Sequence, residues 1–503
     1  MTTMTAFAGS PTGMSERVPG ETIIRLNAGE QTEVVLDMLV TTLQAQHPTL
    51  KFTVKAIDEP GHRAVLRNRV PVGAADVAAD HEDAVLVDVL QSLATMYPNM
   101  VDHSEQNYES DAPEGSPGGT FVCGPFASLY PTQFAHASLN LAAAHTRSRG
   151  EGMVVAVLDT GIDMSHPLLA DRIAPGAWDF VDGDASAWDD GDGVDTDNDG
   201  LIDEMLGHGT FVAGLVHLVA PDAMILPVRV LDSDGNGDTW TMLQGIQYAI
   251  DANVDVINMS LRSTFESEQI EYLTERARSR GIVVVAAAGN FDRSDPAEYP
   301  AADSNVLGVV ATDDQDHKAS FSNYREELFI SAPGASAELS PGSPDLKRSM
   351  ISCVPGNEYA VWQGTSMATP LVSGAAALLK AQQPEWSPVD PSEDSDVYDE
   401  LRAVLSETAV DIDAINAAYA GELGVGRLDV GAAAGLGPVV LTPCTLADVT
   451  RNGHVNTDDL VAVIQAYGSV CTFCAEDVTP AGGDGAVDIS DIAHVIQMIG
   501  ACP

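Results

Sequence analysis

Four largely apolar runs of strand length restrict the fold of this chain more than any other feature. They are Met153–Leu158, Ala223–Leu231, Val254–Ser260 and Gly281–Asn290, and helical segments such as Thr239–Ala252 and Glu266–Ser279 separate them. A strand that is apolar along its whole length is buried on both faces, the condition of a parallel strand covered by helices. Parallel neighbours need crossover connections, which the intervening helices supply. From about Phe121 to Leu436 the chain therefore predicts an α/β domain built on a parallel sheet. Ligands of such sheets sit beyond the carboxyl ends of the strands, where Asp159 and Asn290 fall.

The flanking sequence divides by pattern. Residues 1–20 are small and polar and are expected to be a disordered tail. Residues 21–110 read as a small α+β domain, with strands at Thr22–Leu26 and Lys51–Ala56 and helices at Glu33–Leu43 and Asp83–Leu93. Gly, Pro and acidic residues mark residues 111–120 as a linker. The α/β domain then occupies residues 121–436, a second linker residues 437–443, and a cysteine-containing module residues 444–503.

Bulk properties exclude some functions. The net charge is −50, from 24 basic and 74 acidic residues, and a phosphate backbone would be repelled by it, so nucleic acid is not expected as a partner. No apolar run is long enough to predict a membrane span. The N-terminus lacks the basic and apolar regions of a signal peptide. Yet Cys444, Cys471, Cys474 and Cys502, four of the six cysteines, cluster in the last module, as disulfides of an oxidising compartment would. A mis-assigned start or an unrecognised export route reconciles these two signs, and the expected location is extracellular or at the cell surface. Cys471 and Cys474 have zinc-like spacing, but no second ligand pair accompanies them, so disulfides are the better reading.

The chemistry centres on Trp362–Leu379. Gly364 and Thr365 lead to Ser366, and an apolar helical run containing Pro370 follows. A serine there is either a plain N-cap or a nucleophile at the positive end of a helix, where free N–H groups bind an oxyanion. Asp159 is either a turn residue or an orienting acid. His208, in a glycine turn opening a helix, is either structural or a general base whose ordinary pKa suits neutral pH. Asn290 is either a turn residue or an oxyanion donor.

Together the motifs Val157-Leu-Asp-Thr-Gly-Ile-Asp163, His208-Gly-Thr-Phe-Val-Ala-Gly214, Ala288-Gly-Asn290 and Gly364-Thr-Ser-Met-Ala-Thr-Pro370 closely resemble the four signatures of the subtilisin-like serine proteases. The Asp…His…Ser order is also that of subtilisin. The resemblance covers roughly residues 121–436 and implies a subtilisin-like three-layer fold, with a parallel sheet between helices. It further implies a serine endopeptidase with catalytic Asp159, His208 and Ser366, and with Asn290 and the Ser366 N–H as oxyanion donors. By the same likeness, Ser260, Leu261 and Arg262 form the substrate-binding strand, Ala287, Ala288 and Gly289 the facing pocket wall, and Gly235 part of a rim gripping an extended peptide. The small domain at 21–110 resembles a propeptide in size and arrangement, with cleavage expected within roughly 104–130; the alternative is a permanent accessory domain.

Three departures stand out. Arg262 replaces a frequent glycine, which would narrow the pocket or charge it positively and so favour acidic side chains. Phe211 replaces a common histidine, an expected packing change. The segment Leu215–Pro221 is too short for the calcium loop that interrupts this helix in several relatives.

Two further stretches suggest calcium. In the acidic insertion Asp189–Glu204, the residues Asp195, Asp197, Asp199, the Leu201 carbonyl and Asp203 follow the first nine positions of an EF-hand-type loop around Gly200. Position twelve is Leu206, so the loop is incomplete unless Glu204 substitutes. The alternative is a solvated acidic loop. In the tail, Asp448, Thr450, Asn452, His454, Asn456 and Asp459 form one loop, and Asp477, Asp484, Asp488 and Asp491 a longer second one; each precedes a predicted helix. This module resembles a dockerin, which implies structural Ca2+ and a cohesin-like or cell-surface partner. The expected function takes one of two forms: a calcium-stabilised, monomeric endopeptidase made as a zymogen and acting on polypeptides, or a catalytically idle subtilase-fold protein that binds through its tail.

Overall fold

The computed structural model describes residues 3–5, 17–26, 32–46, 51–58, 63–69, 101–113, 120–124, 126–197, 199–340, 343–383, 386 and 397–436. The chain forms two compact units, Met1–Ala434 and Gly435–Pro503. The tail module and the helix expected at Asp83–Leu93 lie outside the described residues.

A seven-stranded sheet organises the first unit, in the order Ile330–Pro333, Val306–Thr312, Val283–Ala287, Val256–Met259, Val154–Asp159, Met224–Arg229 and Trp178–Asp179. Every pairing in it is parallel. The strands are valine-rich and buried almost throughout, as two covered faces require. From Val154–Asp159 the chain crosses to Met224–Arg229 on one side, and it later enters Val256–Met259 on the other. The strand order thus reverses between Asp159 and Met259, the crevice where ligands of open α/β sheets bind.

Two buried helices carry the main motifs. His208–Val219 runs uninterrupted, consistent with the absence of an inserted calcium loop. Thr365–Gln382 is buried along nearly its whole length. They pack closely: a Cβ on Gly374 would lie 2.7 Å from the Val219 Cβ. Pro370 stands at the sixth position of its helix, one turn further on than a proline of the first turn.

A five-stranded antiparallel sheet joins the N-terminal region to the rim of the larger sheet, in the order Asn236–Asp238, Val101–Asp111, Arg17–Leu26, Arg63–Arg69 and Lys51–Asp58. Helix Thr32–Gln46 covers one face through Leu36, Leu39 and Leu43, which pack with Ile24, Phe52 and Leu66. Ile23 and Val65 point the other way into the main core, as strand alternation dictates. Two expectations need correction. The strand expected at Thr22–Leu26 begins at Arg17, and a strand Thr3–Thr5 pairs with Thr120–Gly124, so ordered pairing reaches into the stretch expected to be a disordered tail. The strand Val101–Asp111 runs one residue into the expected linker. Its alternation is hidden by polar residues because it packs between two strands and two helix ends.

Candidate active site

Asp159 ends the central strand, and the parallel register that pairs Leu158 with Met259 sets it beside Ser260. Its Oδ1 accepts a hydrogen bond from the Thr160 N–H at 2.8 Å and lies 2.6 Å from His208 Nδ1. Both side chains are fully buried. A carboxylate at Nδ1 fixes that nitrogen as the donor and leaves Nε2 as the basic one. Gly209 makes the approach possible: a Cβ there would sit 2.1 Å from the Gly161 carbonyl and 3.1 Å from Asp159 Cβ. On its other side the His208 ring meets Trp362 edge to face at 5.4 Å, and Trp362 in turn packs on Phe211 at 5.8 Å. Phe211 is fully buried, as a packing substitution should be.

Asp189 is a buried member of this cluster whose part was not legible in the sequence. Its Oδ1 accepts from Gly207 N at 2.9 Å and Thr160 Oγ1 at 3.2 Å. Its Oδ2 accepts from Thr210 N at 3.0 Å and Thr210 Oγ1 at 2.5 Å. One carboxylate thus clamps the first turn of the His208 helix to the residue after Asp159. Burial pushes its pKa up to about 6 against these hydrogen bonds, and the neighbouring Asp159 charge adds to the rise.

Ser366 occupies the second position of its helix. Its Oγ lies 3.3 Å from the Ser260 carbonyl. Its own carbonyl accepts from Ser260 Oγ at 3.0 Å, and Asn258 Nδ2 donates to that same hydroxyl at 3.1 Å. Pro370 has no N–H for the Ser366 carbonyl, so the hydroxyl stands in for the missing helical bond. Asn290 accepts at Oδ1 from Thr365 N at 2.9 Å and Thr365 Oγ1 at 3.0 Å. The two acceptances fix the amide with Oδ1 toward Thr365 and its Nδ2 end turned away from it. Thr365 Oγ1 also accepts from Gly289 N at 3.1 Å.

The other residues proposed for substrate binding surround these. Leu261 and Ala287 are fully buried. The Ala288 carbonyl accepts from Asn323 Nδ2 at 2.9 Å. The Gly235 carbonyl accepts from Ala112 N at 2.9 Å, and Arg262 exchanges backbone hydrogen bonds with Asp111 at 2.9 and 3.0 Å. An N-terminal strand therefore lies along both edges named from sequence. The bridge is antiparallel, and the strand ends there, at Asp111.

In the acidic insertion, Asp195, Asp197 and Asp199 each bring one oxygen within 4.8 Å of the others. Asp195 Oδ1, Asp199 Oδ2 and Glu204 Oε2 are buried and have no hydrogen-bond partner. Burial, with Asp234 and Asp199 nearby, pushes Glu204 up to about 8; burial and the surrounding aspartates push Asp197 up to about 6. Asp203 faces elsewhere: its Oδ1 accepts from Asp192 N, Gly193 N and Ser233 Oγ at 3.0, 3.1 and 2.7 Å. The insertion is tied to the substrate rim, because Asp234 accepts from Thr196 N and Asp203 N, both at 2.6 Å. The ten tail residues from Asp448 to Asp491 proposed as ligands lie outside the described residues.

Residues 150–435 match the profile of the subtilase family. Thermitase of Thermoactinomyces vulgaris is 40% identical over 236 residues, which cover 47% of this chain and 77% of thermitase. A thermostable alkaline protease of Halalkalibacterium halodurans is 40% identical over 259 residues, 50% of this chain and 63% of that protein. Subtilisin BL of Lederbergia lenta is 38% identical over 284 residues, 54% of this chain and 90% of the relative.

Proposed function

The chain belongs to the subtilase family and is a serine endopeptidase, and from that premise we propose that it cuts peptide bonds through Asp159, His208 and Ser366 by way of an acyl-enzyme. Ser366 Oγ attacks the scissile carbonyl while His208 Nε2 takes its proton and then delivers it to the leaving amine. Asp159 holds the Nδ1–H tautomer and stabilises the imidazolium. The Ser366 N–H, at the positive end of its helix, and Asn290 Nδ2 bind the oxyanion. The observation that carries this reading is the fully buried 2.6 Å contact between Asp159 and His208, beside a strand that touches Ser366.

The chain is made as a zymogen in this reading. Support comes from the strand Val101–Asp111, which adds to the rim strand Asn236–Asp238, while Asp111 pairs with Arg262. Strand addition is how an extended peptide substrate would bind. Glu105 accepts from Ser267 Oγ at 2.5 Å and Asn107 Oδ1 from Trp240 N at 3.1 Å, so the same strand also caps two helix starts. The bond cut would lie on the carboxyl side of Asp111, inside the wider interval expected from sequence.

Calcium suits the insertion because the three orphaned buried oxygens are hard anionic donors, and their mutual repulsion is what a divalent cation relieves. Asp195, Asp197, Asp199 and Glu204 would hold it, and its part is structural. The dockerin-like tail would bind further calcium and a cohesin-like partner. An extracellular or cell-surface site of action fits a processed endopeptidase. No helix among the described residues is long and apolar enough to cross a membrane.

Intact-mass measurement of the purified chain tests the zymogen. Cleavage on the carboxyl side of Asp111, within roughly 104–130, is expected in the wild type and not in Ser366→Ala. A wild-type chain that stays uncut on long incubation with calcium would count against self-processing.

A further inference from the structure

Arg262 is buried, with only 2% of its side chain exposed, and Asp111, Glu298 and Phe291 are among the groups that hold it there. Its Nη2 lies 2.6 Å from Asp111 Oδ2, its Nη1 lies 3.3 Å from Glu298 Oε2, and its guanidinium covers the Phe291 ring at 4.2 Å. Arg293 covers Phe291 as well, at 4.5 Å, and binds Glu298 at 2.7 Å. Asn323 braces the group by donating to the Ala288 carbonyl and accepting from Phe291 N at 3.0 Å. The cluster is therefore pre-formed by the larger domain, except for Asp111.

Charge shows what the exception does. Arg262 and Arg293 carry two positive charges, and Glu298, itself 2% exposed, supplies one negative charge to both. Asp111 brings the second. If the N-terminal strand leaves the cleft, the cluster keeps a net positive charge, and any peptide that replaces the strand desolvates Arg262 again. A neutral side chain at that position buries the guanidinium without the carboxylate that Asp111 supplies, a costly change for a buried ion; a carboxylate restores it.

We propose that Arg262 selects polypeptide substrates with aspartate or glutamate at the position that pairs with it, the one Asp111 occupies. The proposal rests on the reading above that the N-terminal strand lies in the cleft as a substrate does. Burial pushes the Asp111 carboxyl up to about 6 against the pull of Arg262, so it stays ionised at neutral pH. The burial cost to the acid and the benefit of the pair oppose each other. The gain is measured against a buried arginine that has lost the Asp111 carboxylate, and 21% of the Asp111 side chain still meets solvent, which limits the cost. Arg262 acts as a specificity residue: it touches the substrate side chain, and its own backbone aligns the strand.

The test is a peptide library, cleaved by the self-processed wild-type protein, in which only that position varies. A kcat/KM for Asp or Glu about ten- to a hundredfold above Ala is expected from a charge-assisted pair of this kind, with the ratio falling to about one in Arg262→Gln and partly restored in Arg262→Lys. Cleavage without any acidic preference, or a preference that survives in Arg262→Gln, overturns the proposal and leaves the endopeptidase reading intact. If the variants do not fold, the wild-type library decides alone. Failure to cleave any member, together with no labelling of Ser366 by a phosphonate, overturns both.

Discussion

The Ser260 hydroxyl donates to the Ser366 carbonyl at 3.0 Å, in the place that an N–H of residue 370 would hold in an unbroken helix. One bond thus ties the start of the Ser366 helix to the strand that would bind substrate. Ser260→Ala is expected to destabilise the fold by about 1–3 kcal/mol, because a buried carbonyl loses its donor. It should lower kcat as well, since Ser366 loses an anchor. Thermal unfolding and single-turnover kinetics on the same variant check both effects.

Asn290 presents its amide by accepting twice from Thr365. Asn290→Leu should lower kcat by about 10²–10³ with little change in KM, a magnitude established on subtilisin itself. A change confined to KM would assign Asn290 to ground-state binding.

Asp189 gives a pH signature. Its folded pKa, pushed up to about 6, lies above the ordinary carboxylate value, so the folded protein holds the proton more tightly than the unfolded chain. The ionised group therefore costs stability above about pH 6, and that cost disappears as the pH falls toward about 4. The wild type should gain on Asp189→Asn over that interval by something on the order of 3 kcal/mol and run parallel to it above. Denaturant titrations of both proteins across the range measure the difference. Asp189→Ala at neutral pH should cost more than about 3 kcal/mol, because its four hydrogen-bonding donors lose their acceptor.

Calcium removal should act on the cleft as well as on stability. The insertion reaches the rim through Thr196, Asp203 and Asp234, so a chelator is expected to lower the melting temperature and to raise KM more than it lowers kcat. Occupancy at about a hundredfold over Kd is worth about 2.7 kcal/mol, which sets the size of the effect. Asp195→Asn combined with Asp199→Asn should reproduce it and make the chelator ineffective.

What the sequence made legible was local. Largely apolar runs announced the central strands, and motifs of a few residues around Asp159, His208, Asn290 and Ser366 pointed to the candidate site. What stayed hidden depends on residues far apart in the chain. Asp189 is one acid in an acidic stretch, and only folding shows that its carboxylate faces Thr160 and Thr210 while Asp195 and Asp199 face each other. Glu298 and Asn323 carry no motif, yet they hold the guanidinium of Arg262 and the pocket wall at Ala288. The strand Val101–Asp111 is too polar to show a buried face, because it gains its partners from two other strands and two helix starts. Pro370 was visible, but its consequence for the Ser366 carbonyl depends on Ser260, more than a hundred residues away.

The most direct test is covalent labelling by an active-site fluorophosphonate, read by intact mass and peptide mapping. A single adduct on Ser366 in the wild type, absent from Ser366→Ala and strongly slowed in His208→Ala, is the predicted result. No adduct at any pH with calcium present, or an adduct that persists in Ser366→Ala, would contradict the account.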